Sequence, residues 1–294
     1  MNLDLPLEHV RTLLAIVDCG TLDAAAAALH VTPSAVSQRV KALEQRTGRV
    51  LLIRSKPVQL TGSGQVVVRY ARQLARVEED LTTELGMSGS GAPSTLPIAV
   101  NADSLSTWFV PALARVPDEL GICFELHRAD EGHTTSLLRE GRVMAAVTST
   151  PDPVQGCSVR RLGHMRYLAC VAPRRKGRLP LEQVLDELPV LIFDNHDDLQ
   201  DAFARKVRRG GGAPGPRHRV PSSEGFVEAI QVGLGWGMVP RVQAEPLLRS
   251  GALVDIAPGH GMDVPLHWQQ WKLDSPALAA VARAVQEGAE NALD

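Results

Sequence analysis

The strongest constraint on the fold is a pair of helix starts that lie close together between residues 20 and 48. Gly20 is a helix stop, and the hydroxyl of Thr21 can accept a hydrogen bond from the first free N–H groups of a new helix. A second start comes at Thr32, where Pro33 occupies the first helical position and its missing N–H costs nothing. Two short helices joined by a tight turn are therefore predicted, which is a helix-turn-helix arrangement.

The surrounding periodicity predicts how far these helices extend. Apolar residues recur at helical spacing from Leu7 to Val17, which predicts a first helix over residues 7–19. The alanines from Ala24 to Ala28 predict a second helix, whose small side chains let another helix pack closely. The third helix is predicted to run from Pro33 to about Thr47, before the stop at Gly48.

The third helix has a polar outer face and an apolar inner face. At about 100° per residue, Val36, Val40 and Leu43 share one arc that faces the core. Small hydroxyls, an amide and a cation occupy another arc, and such a face can enter a major groove and read base edges. The pattern alone also fits an ordinary solvated helix. The predicted DNA-contacting residues here, with the cap, are Thr32, Pro33, Ser34, Ser37, Gln38 and Lys41.

A short hairpin with a basic tip is predicted after the third helix. Residues 50–53 and 58–60 are short β-type runs, and the turn between them carries Arg54 and Lys56. Such tips commonly lie along phosphates or in the minor groove. Arg54 and Lys56 are therefore predicted to contact DNA.

Charge is distributed unevenly along the chain. The formal net charge of the 294 residues is −2, which argues against general coating of nucleic acid. Residues 30–60 nevertheless carry six Lys and Arg side chains against Glu44 alone, whereas residues 1–29 are net acidic. One short segment is thus a candidate phosphate-binding surface.

A long helix is predicted from about Gly64 to Leu85, with Thr61 as its cap. Its apolar positions form one stripe with intervals of three and four, which favours pairing with a second copy of the chain. Residues 88–95 are rich in Gly, Ser and Pro and are predicted to form a joint between domains. The predicted stripe consists of Val67, Tyr70, Ala71, Leu74, Val77, Leu81 and Leu85.

Residues 21–44, the hairpin and the Leu60–Gly64 segment closely resemble the signature of LysR-type transcriptional regulators. The hairpin departs from many relatives, because Arg54-Ser55-Lys56-Pro57 stands where they have Arg-x-x-Arg. The resemblance implies a winged helix-turn-helix that binds double-stranded promoter DNA, a linker helix that forms a homodimer or homotetramer, and an effector domain. It also implies contact with RNA polymerase.

The remaining two hundred residues alternate between short apolar runs and helical patterns, which predicts an α/β fold. Two such series indicate two lobes, and the terminal strand and helix are predicted to return to the first lobe. The strands are predicted near residues 96–101, 122–127, 144–148, 167–172, 190–193, 217–220, 236–240 and 266–272.

The expected organisation is a mainly α-helical winged helix-turn-helix domain, a linker and a two-lobed α/β effector domain like those of periplasmic binding proteins. The predicted boundaries are 1–61 for the DNA-binding domain, 62–94 for the dimerisation helix and joint, and 95–294 for the effector domain. Lobe I is predicted over about 95–163 and 268–294, and lobe II over about 164–267.

Four strings in the effector domain resemble the branch of the family that regulates lysine and arginine export. They imply a regulator that activates an exporter gene on sensing L-lysine or L-arginine. A member of the family that responds to another small molecule is the alternative. The strings are residues 100–104 with Thr107 and Trp108, residues 193–198, residues 222–226 and residues 268–272.

Several polar residues at strand ends and helix starts fit a basic amino-acid ligand. Ser104, after Asp103, is predicted to be a helix N-cap whose neighbouring N–H groups accept the α-carboxylate, although an ordinary cap has the same sequence. Trp108 could cover an aliphatic chain or pack in the core. Acids at this rim could pair with the ligand's cation, or be solvated surface acids. These acids are Asp130, Asp197 and Glu224.

Other functions are less well supported by the sequence. No Ser/His/Asp, Cys/His or HExxH constellation is visible, so no enzyme activity, cofactor or metal is predicted. An enzyme with a DNA-binding regulatory domain is the alternative from another class, and an architectural DNA protein would not need the α/β lobes. The four cysteines show no paired spacing. With no signal-like start and no membrane-length apolar run, a cytoplasmic protein is expected.

Overall fold

A computed structural model describes residues 4–53, 55–85, 94–129, 131–208 and 212–294. The N-terminal part is a helix-turn-helix with a two-stranded antiparallel wing, followed by a long helix. Its elements in chain order are α1 (Leu7–Cys19), α2 (Leu22–Ala28), α3 (Pro33–Thr47), β1 (Leu52–Ile53), β2 (Gln59–Leu60) and α4 (Gly62–Glu84).

Local caps explain where α2 and α3 begin, and glycine stops explain where α1 and α3 end. The side-chain oxygen of Thr21 accepts from the N–H of Ala24 at 3.2 Å, and that of Thr32 accepts from Ala35 at 3.2 Å. Gly20 and Gly48 both adopt the left-handed conformation that ends a helix. The predicted helix-turn-helix is confirmed.

The N-terminal unit has its own small core. Buried apolar side chains from α1, α2, α3, the segment at the start of the wing and α4 pack together. Outside this core, Arg11 of α1 forms a bidentate ion pair with Glu78 of α4, with distances of 2.7 and 2.8 Å. The fully buried members include Val10, Leu13, Ile16, Ala25, Val36, Leu43, Leu51 and Val68.

The apolar stripe predicted on α4 is divided between two faces in the structure. Val67 and Ala71 are buried in the N-terminal core, so they are not available to a second chain. Exposed apolar side chains lie on another face of the helix. The physical reason is that α4 must pack against α1 over its first turns, and the sequence stripe does not separate that contact from an intermolecular one. The exposed residues are Val66, Tyr70, Val77 and Leu81, with Leu85 just beyond α4.

The second part of the chain folds into two α/β lobes. The helical segment after β3 continues through a π-helical turn, Leu105–Phe109, between α5 and α6, and a 3₁₀ turn covers Asp118–Leu120. The elements up to the crossing strand are β3 (Ser94–Val100), α5 (Ala102–Ser104), α6 (Val110–Leu113), β4 (Ile122–Arg128), α7 (Glu131–Arg139), β5 (Ala145–Thr148) and β6 (Cys157–Val171).

The remaining elements complete the second lobe and return to the first. They are α8 (Pro173–Lys176), α9 (Leu181–Glu187), β7 (Val190–Ile192), α10 (Leu199–Arg208), β8 (Arg217–Arg219), α11 (Ser223–Gln231), β9 (Trp236–Pro240), α12 (Arg241–Arg249), β10 (Val254–Asp255), β11 (Met262–Trp271) and α13 (Pro276–Ala292).

The strands of both lobes are linked in the order β4-β3-β5-β11-β6-β9-β7-β8, and β10 pairs with β6. Strands β3, β4 and β5 are parallel, as are β7, β8 and β9. The antiparallel pair β6 and β11 lies between these groups and runs through both lobes, so these two strands are the crossovers. A two-lobed effector domain is confirmed.

The crossover strands start earlier than the sequence predicts. The strand expected from Tyr167 begins at Cys157, and the one expected from Leu266 begins at Met262. The residues from 158 to 161 are exposed, and all but Val159 are polar, so the first half of β6 gives little apolar signal. The register of the pair shifts between Leu266 and His267.

Among the described residues, no helix is both long enough and apolar enough to cross a membrane.

Candidate DNA-binding surface and effector site

The start of α3 presents the side chains that the sequence predicts for base contact. Thr32, Pro33, Ser34, Gln38 and Lys41 are exposed. Ser37, also predicted for base contact, is half-buried and lines a cavity of about 220 Å³ between α3 and the wing. The first two turns of α3 therefore form a polar surface on which side chains can reach a nucleic-acid groove.

Internal contacts occupy some of the cations in this segment. Arg39 pairs with Glu8 of α1 at 3.0 Å, and Arg46 donates to the backbone oxygen of Asp4 at 2.7 Å. Lys41 and Lys56 form no ion pair with any residue that the structure describes, and both are exposed. Arg54 lies outside the described residues. The free cations of α3 and the wing are therefore fewer than the sequence count indicates.

The wing is fixed to α3 and α4 by side-chain hydrogen bonds. Glu44 of α3 accepts from the N–H of Leu51 at 2.8 Å. The Thr61 hydroxyl donates to the carbonyl of Val50 at 2.7 Å and accepts from the N–H of Gly64 at 3.0 Å. One threonine thus caps α4 and ties the start of the wing to it.

A buried carboxylate joins the two lobes. Asp103 lies in α5, at the carboxyl end of β3, and accepts two short hydrogen bonds. Tyr167 of β6 donates to one carboxylate oxygen at 2.7 Å, and Ser223 at the start of α11 donates to the other at 2.7 Å. Gln243 of α12 in turn donates to Ser223 at 3.2 Å. Four elements therefore converge on Asp103.

The environment of Asp103 disfavours its charged form. Burial raises the pKa of the Asp103 carboxyl, and the negative charge of Glu224 raises it further. The hydrogen bonds from Ser223 and Tyr167 act in the opposite direction but are smaller effects. Asp103 forms no ion pair with any described residue. A ligand cation would supply the missing partner.

The structure corrects the prediction that Ser104 is a helix cap. Asn101 occupies the cap position, and its side-chain oxygen accepts from the N–H of Ser104 at 3.2 Å. The helix begins earlier than predicted because Asn101 follows the last residue of β3 directly. The Ser104 hydroxyl is fully buried and has no hydrogen-bond partner within the described residues. It is therefore a polar group that a ligand could satisfy.

Trp108 lies in the core of lobe I. Its ring packs edge-on against Phe109 with ring centroids 5.6 Å apart, and only 4% of the residue is exposed. The indole N–H of Trp108 has no partner among the residues described. Because one turn of helix separates Trp108 from Ser104, two unsatisfied polar groups belong to the same segment.

The carboxylate of Asp197 organises a loop. Its two oxygens accept from the backbone N–H groups of Phe193 at 2.7 Å and Leu199 at 3.2 Å. Burial nevertheless raises the pKa of Asp197. Backbone N–H groups thus already bond to the Asp197 carboxylate, which is a predicted partner for the ligand cation.

Glu224 and Asp130, the other predicted acids, differ in what the structure shows. Glu224 at the start of α11 is exposed, and hydrogen bonds, above all from Ser106, lower its pKa. Asp130 lies outside the described residues. Arg128, at the end of β4, donates to the carbonyl of Pro221 at 2.9 Å and lies over the Phe193 ring. Asp103 is thus the buried acid that links the lobes.

Tyr167, Ser223 and Gln243 were not singled out by the sequence reasoning. Ser223 lies in a string that resembles other regulators, and Tyr167 is one of two tyrosines in the chain. Neither signal indicates a contact with Asp103. Within the described residues, no group of three or more His, Cys, Asp or Glu side chains could hold a metal ion.

Family models match both parts of the chain. The model for the bacterial regulatory helix-turn-helix protein of the lysR family matches residues 7–65, and the LysR substrate binding domain matches residues 89–290. The chain belongs to the LysR family. Among relatives of this LysR-family chain, the lysine export transcriptional regulatory protein LysG of Corynebacterium efficiens is 43% identical over 97% of this chain and 98% of the relative. The HTH-type transcriptional regulator ArgP of Aeromonas salmonicida is 38% identical over 93% of each chain.

Solved structures of full-length relatives match the whole chain. ArgP from Mycobacterium tuberculosis superposes with a TM-score of 0.89 at 40% identity, covering 97% of both chains. LysG from Corynebacterium glutamicum with bound effector Arg gives 0.84 at 41% identity, covering 98% of this chain and 99% of that one. A second full-length LysG structure from that organism gives 0.61 at 39% identity and covers 99% of each.

Proposed function

We propose that this LysR-family regulator senses a basic amino acid, L-arginine or L-lysine, and activates a gene for its export. The observation that carries the proposal is the buried Asp103 carboxylate between the lobes, which has hydroxyl partners but no described cation. A guanidinium or ammonium would pay the cost of burying that charge. The Arg-bound LysG structure is a relative of nearly full length, which supports this ligand class.

The proposed ligand lies where α5 and α11 meet. The α-carboxylate is received by the buried Ser104 hydroxyl and nearby N–H groups, and the side-chain cation of the ligand pairs with Asp103. Asp130 remains a proposed second acid, and Glu224 a proposed rim acid. Trp108 is proposed to support the segment from below, and Asp197 to shape the facing loop through its backbone hydrogen bonds.

The lobes are proposed to close on the ligand as those of periplasmic binding proteins do, with lobe boundaries near residues 163 and 268. Asp103 and Ser223 belong to opposite lobes, so the ligand can change their separation. Binding alters transcription only if the ligand favours one arrangement of lobes and subunits over another. The boundaries of the DNA-binding domain and the linker, at residues 61 and 94, are also proposed.

The remaining partners follow from this function. The regulator is proposed to act in the cytoplasm as a homodimer or homotetramer that binds double-stranded promoter DNA through α3 and the wing. Contact with RNA polymerase then converts the change of arrangement into transcription. No enzymatic reaction and no cofactor is part of the proposal.

Calorimetric titration tests the ligand and its acid partner. L-arginine, L-lysine and norleucine, whose side chain carries no charge, are titrated into the wild type, Asp103→Asn and Asp197→Asn. We expect the basic amino acids to bind the wild type, norleucine to bind far more weakly, and Asp103→Asn to lose about a hundredfold in affinity.

The Asp197→Asn variant is the comparison, because both Asp197 carboxylate oxygens already accept from backbone N–H groups and are not assigned to the ligand cation. We expect its affinity to change much less than that of Asp103→Asn. Binding of norleucine as tight as that of lysine would contradict the role of Asp103. Absence of binding by either basic amino acid would show that the effector is another small molecule.

A further inference from the structure

Helix α4 meets lobe I at a glycine. Gly141, in the turn after α7, has a positive φ of +71°, and a Cβ atom there would lie 2.9 Å from the Cα of Arg69. Any side chain at position 141 would push α4 away from lobe I. The backbone of the linker helix can therefore approach the effector domain this closely only because residue 141 is glycine.

One arginine of α4 bonds to both sides of this junction. The guanidinium of Arg72 donates to the carboxylate of Asp18 in α1 at 2.8 Å and to the carbonyl of Glu140 in lobe I at 3.1 Å. Its side chain is only 20% exposed, so solvent screens these bonds less than it screens a surface pair. Arg72 thus connects the DNA-binding unit, the linker helix and the effector domain.

A cavity of about 380 Å³ lies beside this arginine, between α1, α4 and lobe I. Its lining includes Asp18, Arg72, His127 and Trp271. The bonds of Arg72 therefore span the edge of a gap between the two units.

We propose that Arg72, Asp18, the Glu140 carbonyl and Gly141 form an interdomain clasp that holds the winged helix-turn-helix in one of two arrangements relative to lobe I. The two full-length LysG structures described above superpose on this chain to different extents, with TM-scores of 0.84 and 0.61. Release of the clasp lets α1 and α3 move relative to lobe I. The second half of the inference, that effector binding acts through this release, rests on the proposed function.

The chain offers matched controls for both parts of the clasp. Arg11 and Glu78 also join α1 to α4 by an ion pair, but they bond to nothing in lobe I. Gly121 has a positive φ of +56° and no atom within 4 Å of an added Cβ, so Gly121→Ala carries the same backbone strain without the clash. If Arg72 only packed α1 on α4, Arg11→Ala would have the same effect as Arg72→Ala. If Gly141 only relieved backbone strain, Gly121→Ala would have the same effect as Gly141→Ala.

The arrangement can be measured directly by pulsed electron spin resonance on the full-length chain. One nitroxide is placed on the native exposed Cys123 of lobe I, and the other on α2 through Asp23→Cys in a Cys19→Ser background. Cys157 and Cys170 are buried, and burial raises the pKa of their thiols to about 11 and about 12, so they do not compete for the label. Co-assembly with excess unlabelled chain removes distances between subunits.

We expect one narrow distance distribution for the wild type, Arg11→Ala and Gly121→Ala, without any effector. The Arg72→Ala and Gly141→Ala variants should show a broadened or shifted distribution, and Arg72→Lys an intermediate one, because lysine cannot bond both partners in the same fork geometry. Distributions for Arg72→Ala and Gly141→Ala that match the controls would overturn the clasp. This comparison needs no ligand, so it is independent of the proposed effector.

The second half is tested by the effect of L-arginine on DNA affinity. A duplex enriched from a random pool by the wild type serves as the probe. The ratio of affinities with and without L-arginine should fall to about one in Arg72→Ala and stay at the wild-type value in Arg11→Ala. An unchanged ratio in Arg72→Ala, with L-arginine still bound in calorimetry, would refute the link between clasp and effector.

Discussion

Asp103 is a carboxylate that the fold buries before any ligand arrives. Because its pKa is raised in the folded state, the folded protein binds this proton more tightly than the unfolded chain does. The stabilising contribution is therefore complete below the unfolded pKa, near 4, and is lost as the pH rises through the folded pKa. At neutral pH, without ligand, Asp103 lowers the free energy of unfolding.

Asp103→Asn is accordingly expected to raise the melting temperature at neutral pH, because the amide keeps hydrogen-bonding capacity without a charge. The difference from the wild type should shrink as the pH falls toward about 4. Melting curves of the two proteins across this range, without amino acids, provide the measurement. A lower melting temperature of the variant at neutral pH would contradict the cost that we assign to the charge of Asp103.

Gln38 is expected to read bases. It is exposed on the second turn of α3, so truncation to Ala should cost about 1–3 kcal/mol on a specific site and much less on random DNA. Fluorescence anisotropy at fixed salt measures both affinities, and the half-buried Ser37→Ala is expected to act in the same direction. Equal losses on the two duplexes would remove Gln38 from base recognition.

Lys56 is expected to contact a phosphate. The Lys56→Ala variant should bind all duplexes more weakly and reduce the salt slope of the affinity by roughly one. Arg46→Ala is the control, because Arg46 donates to the backbone of Asp4. An unchanged slope in Lys56→Ala would show that Lys56 does not contact a phosphate. That Arg54 also contacts DNA stays a prediction.

The shared exposure of the candidate DNA-contacting residues was easier to predict than the partners of Asp103. Ser34 and Gln38 lie within α3 and Thr32 caps it, so a helical projection places them together. The partners of Asp103 are Tyr167 and Ser223, which are 64 and 120 residues away in sequence. Their meeting depends on the two crossover strands, and no local pattern encodes it.

At the scale of elements, prediction succeeded where the signal is local and failed where it is not. Helices α1 and α3 each have a glycine stop and an apolar stripe in the local sequence, and α3 also has a threonine cap. The first half of strand β6 is exposed and mostly polar, and its second half is largely buried and apolar. Only the second half gives a recognisable strand pattern. The cap before α5 was assigned to Ser104 instead of Asn101, because both residues are good caps.

Helix α4 is expected to form the interface between two chains through its exposed apolar face. Val77→Glu together with Leu81→Glu places two charges on that face and should convert the oligomer to a monomer at micromolar concentration. Sedimentation velocity is the measurement. Thr82→Glu, also exposed on α4, serves as the control and should leave the oligomer intact. An oligomer that persists in the double variant would place the interface elsewhere.

At the scale of the whole molecule, sequence patterns predicted the order of the parts but not how they meet. The stripe on α4 indicates an amphipathic helix, yet its arginines contact lobe I through Gly141 and Glu140, which lie about seventy residues further along the chain. Contacts between units depend on a few close approaches, and these leave no periodic signal.

The shared strands β6 and β11 also govern how the effector domain comes apart. Each strand contributes one half to each lobe, so melting one lobe frees the backbone hydrogen bonds on which the other depends. The two lobes should therefore unfold as one cooperative unit, in contrast to domains joined by flexible tethers.

Trp236→Ala tests this cooperativity, because Trp236 is fully buried in lobe II and its truncation should cost about 3–5 kcal/mol. Native-state hydrogen exchange should then show β3 in lobe I losing protection by the same free energy as β9. If the amides of β3 kept their wild-type protection, each lobe would be a separate foldon. A substitution that unfolds either lobe should thus unfold the other as well. A chain with one folded lobe that still responds to ligand is therefore not expected.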